Sequence, residues 1–185
     1  MAIEAVVFDI GGVLEINDDA LFPGPWCARH GIERARFEAA FATLPADPAV
    51  GGATVPEVHA HLQRELAFTD EALDDLDADL WRWYVGELDQ PMYDWFAGVR
   101  GRGLRAGILS NSAPGAREHE ALWGFEDLVD VLVYSHEVGL KKPDPQVYAL
   151  TAQRLGVAPG ALRAPLPRRC ALRCQSGCGQ PVPGS

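Results

Sequence analysis

The sequence predicts an α/β protein in which a helical insertion interrupts a parallel sheet. Three observations predict it. Short apolar runs end at polar or glycine-rich loops at residues 2–8, 104–109 and 128–134. Helix-length segments separate the second run from the third and follow the third. The long stretch at residues 18–102 carries helical spacing instead. A chain of 185 residues suits one ordinary domain, or a compact core bearing a large insertion.

The first run, AIEAVVF, stops at Asp9 and the Gly11-Gly12 pair, as a buried central strand entering a tight loop would. Helices are then expected at residues 33–43, 56–68, 70–85 and 91–100. Thr54 with Glu57 makes the pattern of a capping box, and Pro56 falls in a first turn, where its missing N–H does no harm. Leu73, Leu76, Leu80 and Trp83 recur at helical spacing as an apolar stripe. Trp81, Trp83, Trp95 and Phe96 are read as packing between helices, not as ligand contacts. The second strand, LRAGIL, ends at Ser110-Asn111-Ser112 and leads to a helix at residues 114–123. The third, LVDVLVY, ends at Ser135 and His136, and a last helix at 145–155 opens after Asp144 as N-cap. Residues 1–16 and 103–157 thus form a discontinuous α/β core, 17–102 a helical cap, and 158–185 an irregular tail outside the fold.

Composition excludes several functions. With 48% hydrophobic and 23% charged residues the chain is globular, not disordered. A net charge of -10 argues against general binding to nucleic acid or anionic membranes. No apolar run spans a bilayer and no basic leader precedes the first strand, so cytoplasmic residence is expected. The five histidines are scattered; His59 and His61 point apart on one helix and read as surface residues. Nucleotide-binding glycine loops and a serine nucleophile elbow are both lacking.

The charge is unevenly placed. All 26 acidic residues lie at or before Asp144, against 11 basic ones there; beyond it stand five arginines and no acid. Cys170, Cys174 and Cys178 share that last segment.

Ligands of doubly wound sheets bind beyond the carboxyl ends of the strands. The residues placed there are Asp9, then Ser110 and Asn111, then the loop carrying Lys142. A carboxylate can attack phosphorus; a hydroxyl and an ammonium can hold phosphoryl oxygens and offset their charge. Backbone N–H groups at Gly11 and Gly12 would add an anion nest. The only two lysines, Lys141 and Lys142, stand side by side before Pro143-Asp144-Pro145, while arginine is used fourteen times elsewhere.

Asp9 in VVFDIGGVL, Ser110 in AGILSNS and Lys142 in SHEVGLKKPDP, in that order, resemble the first three motifs of haloacid dehalogenase-like (HAD) hydrolases. The resemblance covers roughly residues 1–157, helical insertion included. It implies a Rossmann-like core with an inserted cap that sets specificity. It also implies Mg²⁺ dependence and phosphatase activity on a small phosphorylated metabolite. By the same resemblance Asp9 is the nucleophile, Ser110 binds phosphate, and Lys142 steadies Asp9 and the transferring group. Asn111 sits at the same mouth and contacts substrate.

The sequence departs from that family at two places. Gly11 stands where its phosphatases carry a second Asp, the general acid and base; its carbonyl can still serve Mg²⁺ beside Asp9. The family's fourth motif, an acidic pair after a further apolar strand, has no counterpart in GVAPGALRAPLPRRCALRC. The tail reads as foreign to the fold, of the kind a frameshift or truncated gene leaves, over a cysteine metal site or a basic partner-binding arm. Three functions therefore stand: a Mg²⁺-dependent phosphatase, a catalytically inactive member of marginal stability, and a 2-haloacid dehalogenase, which needs neither the second Asp nor a metal.

Overall fold

The computed structural model describes residues 3–163; the tail cysteines and Arg168, Arg169 and Arg173 lie outside the described residues. The elements in chain order are β1 (Ala5–Phe8), β2 (Glu15–Ile16), α1 (Gly24–Arg29), α2 (Arg34–Ala42), α3 (Val55–Leu66), α4 (Asp70–Val85), β3 (Glu87–Leu88), α5 (Gln90–Ala97), β4 (Arg105–Ser110), α6 (Ala116–Glu120), α7 (Phe125–Leu128), β5 (Val131–Tyr134), α8 (Ser135–Val138), α9 (Pro145–Leu155) and β6 (Leu162–Arg163).

Four parallel strands lie in the order β5-β4-β1-β6. Every residue of β1 is buried because both faces of the sheet are covered. Val6 and Phe8 face Phe96, Val99, Ala116 and Phe125, while Ala5 and Val7 face Val147 and Leu155. This strand alternation is what a continuous apolar run hides. Gly107 in β4 lets α9 approach closely: a Cβ there would lie 3.2 Å from Leu155.

The expected helices are found with small shifts, and α4 and α9 have the expected bounds. The Glu57 carboxylate accepts from both the N–H and the hydroxyl of Thr54 at 2.8 Å, and Asp144 accepts from the Gln146 N–H at 2.8 Å. Leu76 is buried, and Leu73, Leu80 and Trp83 pack around it in a second core with Trp26, Phe37 and Leu62. That core is built by α1–α4 and their connections, Phe22, Ile32 and Phe68 included.

Several expectations are corrected. Residues 91–100, read with the insertion, pack instead on the sheet: Phe96 is fully buried, 4.9 Å from Phe8 between ring centroids. Trp95 is 42% exposed, whereas Trp81 does pack between helices, stacking from α4 on His119 of α6 at 4.1 Å. His61 is buried, its Nε2 3.0 Å from the Ala40 carbonyl, which ties α3 to α2. The chain does not leave the fold at residue 157. Leu162 and Arg163 pair with Ala5 and Val6 and satisfy one side of β1 that would otherwise be open. A two-residue strand has no periodicity to betray it. Among the described residues, no helix is long and apolar enough to cross a membrane.

The two connections between sheet and insertion run side by side as the antiparallel pair β2–β3. They pass so closely that a Cβ at Gly86 would lie 2.3 Å from the Ile16 carbonyl oxygen, and Gly86 has φ +58°. The insertion touches the core again through residues 47–51. Ser135 Oγ donates to the Ala49 carbonyl at 2.6 Å, and Lys141 pairs with Asp47. At Gly51, φ is +69° and a Cβ would meet the His136 carbonyl oxygen at 2.4 Å. Backbone cannot yield as a side chain can. Gly51→Ala is therefore expected to lower unfolding free energy by about 1–3 kcal/mol in urea titration, through strain plus a displaced loop; an unchanged midpoint would show that the contact is dispensable.

Candidate active site

Parallel strands end on one side of the sheet, and the three expected residues meet there. Asp9 follows β1, Ser110 closes β4, and Lys142 lies between α8 and α9. Lys142 Nζ is 2.6 Å from Asp9 Oδ2 and donates to the Leu109 carbonyl at 3.0 Å. An ammonium has three protons, so one stays available for an oxygen brought to the mouth. The Ile10 N–H donates to Asp9 Oδ1 at 2.9 Å, fixing the carboxylate plane. Asp9 keeps 40% of its side chain exposed while Lys142 keeps 20%, so the carboxylate is open to a ligand.

Asn111 holds the lysine loop rather than standing free. Its Nδ2 donates to the Lys142 carbonyl at 3.0 Å, and its Oδ1 accepts from the Lys142 N–H at 2.7 Å. Ser110 is 2% exposed, and its hydroxyl lies 3.5 Å from the Asn111 carbonyl, at the outer limit of a hydrogen bond. It has capacity for a better acceptor.

Gly12 departs from its expected part in an anion nest. The turn after β1 folds back on itself, and the Gly12 N–H donates to the Glu15 carbonyl at 2.8 Å. Among the described residues, and apart from the chain neighbours of Gly11, the one atom within 4 Å of a Cβ placed there is Asn17 Oδ1, at 3.6 Å.

Sequence reasoning did not foresee the polar groups beneath the mouth. The Ser112 N–H donates to Ser135 Oγ at 2.9 Å, and the Ser112 hydroxyl meets His136 Nδ1 at 2.7 Å. Burial holds His136 below the usual histidine range. Glu15 is 1% exposed; Oε1 accepts from Trp123 Nε1 at 2.8 Å, and Oε2 is buried without a partner among the described residues. Burial, with the nearby Glu120 charge, pushes its carboxyl up to about 9, against the lowering hydrogen bond from Trp123. Glu120 is raised to about 7, chiefly by burial and also by Asp9, while the Tyr134 hydroxyl donates to it at 2.5 Å. Burial likewise raises Tyr84, which senses Glu120, Glu15 and Asp9 together. The signal was present as acids inside apolar stretches, VLEIN and EHEALW, but amphipathic patterning assigns such acids to solvent.

A cavity of about 120 Å³ lies apart, lined by Arg117, Glu120, Phe125, Leu132 and Tyr134, and does not include Asp9, Ser110 or Lys142. Among the described residues no group of three or more His, Cys, Asp or Glu can hold a metal. Magnesium requires several oxygen donors; Asp9 offers one carboxylate, already paired with Lys142, and no acid follows Asp144 in the sequence. These residues do not build a magnesium site by themselves.

Known proteins are similar to this chain in sequence and fold. The family model described as haloacid dehalogenase-like hydrolase matches residues 3–162. Phosphatase MT3486 of Mycobacterium tuberculosis (strain CDC 1551 / Oshkosh) is 32% identical over 167 residues, covering 85% of this chain and 76% of the relative. The HAD family enzyme bt-2542 of Bacteroides thetaiotaomicron, solved in complex with magnesium and inorganic phosphate, superposes with TM-score 0.70 at 17% identity, over 88% of this chain and 84% of its own. The L-2-haloacid dehalogenase RSc1362 gives TM-score 0.57 at 24% identity, over 89% of this chain and 78% of its own.

Proposed function

We propose that this chain, which belongs to the haloacid dehalogenase-like hydrolase family, is a phosphatase of small phosphorylated metabolites that acts through an aspartyl-phosphate on Asp9. The carrying observation is the Lys142 ammonium 2.6 Å from an open Asp9 carboxylate, at strand ends shared with Ser110. The phosphatase relative at 32% identity supports this reading, and so does the phosphate complex of a structural neighbour. The likeness to a dehalogenase is one of fold alone, so carbon–halogen hydrolysis ranks second.

In the first step an Asp9 oxygen bonds to phosphorus, and the bond from phosphorus to the leaving oxygen breaks with its electron pair. Lys142 and Ser110 offset the charge on the phosphoryl oxygens. Gly11 cannot deliver a proton, so the leaving group draws one from solvent. Phosphates with stable leaving anions should therefore react best. Magnesium comes to this reading from one structural neighbour, the bt-2542 enzyme, solved in complex with it; no step here is routed through it. The α1–α4 insertion, tied to the core through Asp47 and Lys141, would act as the cap over the mouth and choose among substrates.

The test is chemical trapping. The 185-residue chain, mixed with ³²P-labelled p-nitrophenyl phosphate and quenched in acid, should hold label in the peptide bearing Asp9, and hydroxylamine should release it as an acyl phosphate. Absence of both nitrophenolate and label would end the phosphatase reading and leave the inactive member standing. Halide release from 2-chloropropionate would turn the assignment to dehalogenase.

A further inference from the structure

One side chain beside Gly11, two residues past the nucleophile, has no task in the proposed first step. Asn17 lies just beyond β2, where the chain passes from sheet to insertion. Its Nδ2 donates to the Trp83 carbonyl at 2.9 Å and to the Tyr84 carbonyl at 2.6 Å, at the end of α4. Both amide protons are thereby used. The opposite rotamer would set the amide oxygen against two carbonyl oxygens, so the hydrogen bonds fix which end points where. The end left over is Oδ1. Among the described residues, and apart from the chain neighbours of Gly11, it is the nearest atom to the place where a Gly11 side chain would begin, 3.6 Å from that Cβ position. Among the described residues no donor reaches it.

We infer that Asn17 Oδ1 orients the water that hydrolyses the aspartyl-phosphate, standing in the space that Gly11 leaves empty two residues past the nucleophile. The inference rests on the phosphatase reading and adds a role to its second step. There the water oxygen bonds to phosphorus, and the bond from phosphorus to Asp9 breaks with its pair returned to the carboxylate. One water proton is held by Asn17 Oδ1 during approach, and the transferred proton ends on a phosphoryl oxygen. An amide oxygen is too weak a base to keep a proton, so Asn17 positions the water and does not serve as general base. Because Nδ2 is anchored on α4, the acceptor moves with the insertion. Water is then aligned when the insertion sits as seen here.

Pre-steady-state kinetics on the 185-residue chain separate the steps. Nitrophenolate released in the first turnover reports attack by Asp9, and the steady rate reports hydrolysis. Asn17→Ala should keep the burst and lower the steady rate about tenfold, the scale of one lost hydrogen bond in a transition state. Loosening of α4 would also follow from that change, so a second variant separates the causes. Gly11→Asn in the Asn17→Ala background returns an amide to the same space without restoring the α4 contacts, and should recover most of the rate. An unchanged steady rate in Asn17→Ala overturns the inference alone. So does a lost burst, or a loss that Gly11→Asn fails to rescue. A wild-type chain with no turnover overturns the phosphatase reading and this inference with it.

Discussion

Asp9→Asn is expected to lower p-nitrophenyl phosphate turnover by at least about 10⁴-fold, the scale for removing a group that acts as the nucleophile itself. The change is nearly isosteric. Its Oδ1 can still accept from the Ile10 N–H, and Lys142 keeps its hydrogen bond to the Leu109 carbonyl. The Asp9 side chain is 40% exposed, so loss of its ion pair should shift stability by less than about 1 kcal/mol. The fold should therefore survive while the chemistry does not. Lys142→Met offers the contrast: it removes charge stabilisation and leaves the nucleophile, with an expected loss of about 10²–10³-fold. A trapped acyl phosphate in Asp9→Asn, or turnover within tenfold of wild type, would place the nucleophile elsewhere.

Asp9, Ser110 and Lys142 were legible because each ends an apolar run or precedes a proline-bounded helix, and parallel topology sends all such ends to one side. What Lys141 does was not legible. Lys142 turns to Asp9 and Lys141 to Asp47, a division that depends on where the insertion lands. The β2–β3 pair was hidden because each strand has two residues and its partner lies on the far side of four helices. Gly12 was misjudged since a glycine pair advertises free N–H groups, while the turn from Ile10 to Glu15 uses one of them. Residues 91–100 have the same amphipathic pattern whether they join the insertion or the sheet; only Phe8 and Phe125, beside Phe96, decide it.

Glu15 is the least legible residue and the one with the largest expected effect on stability. Its carboxyl titrates near 9 in the folded chain and near 4.5 when unfolded. Between those values the folded chain holds a proton that the unfolded chain releases, so stability falls as pH rises through the window, by about 1.4 kcal/mol per pH unit. At pH 7 the accumulated penalty is about 3 kcal/mol. Glu15→Gln removes it. The amide oxygen can keep the Trp123 hydrogen bond of 2.8 Å, and the amide nitrogen takes the place of Oε2, which is itself buried and unpartnered. The desolvation of that second atom is paid in both proteins and largely cancels. Glu15→Gln should therefore raise the thermal midpoint at pH 7 by about 5–10 °C. The gap should shrink towards pH 5 and widen towards pH 8.5. Glu120 titrates near 7 with the same sign, but its carboxylate is bonded at 2.5 Å to the Tyr134 hydroxyl, so Glu120→Gln should gain less. Thermal scans across that pH range decide the matter. A midpoint lowered by Glu15→Gln at every pH, or a gap that does not grow with pH, would mean that Glu15 is held as a charged carboxylate and that the burial described here does not govern its proton.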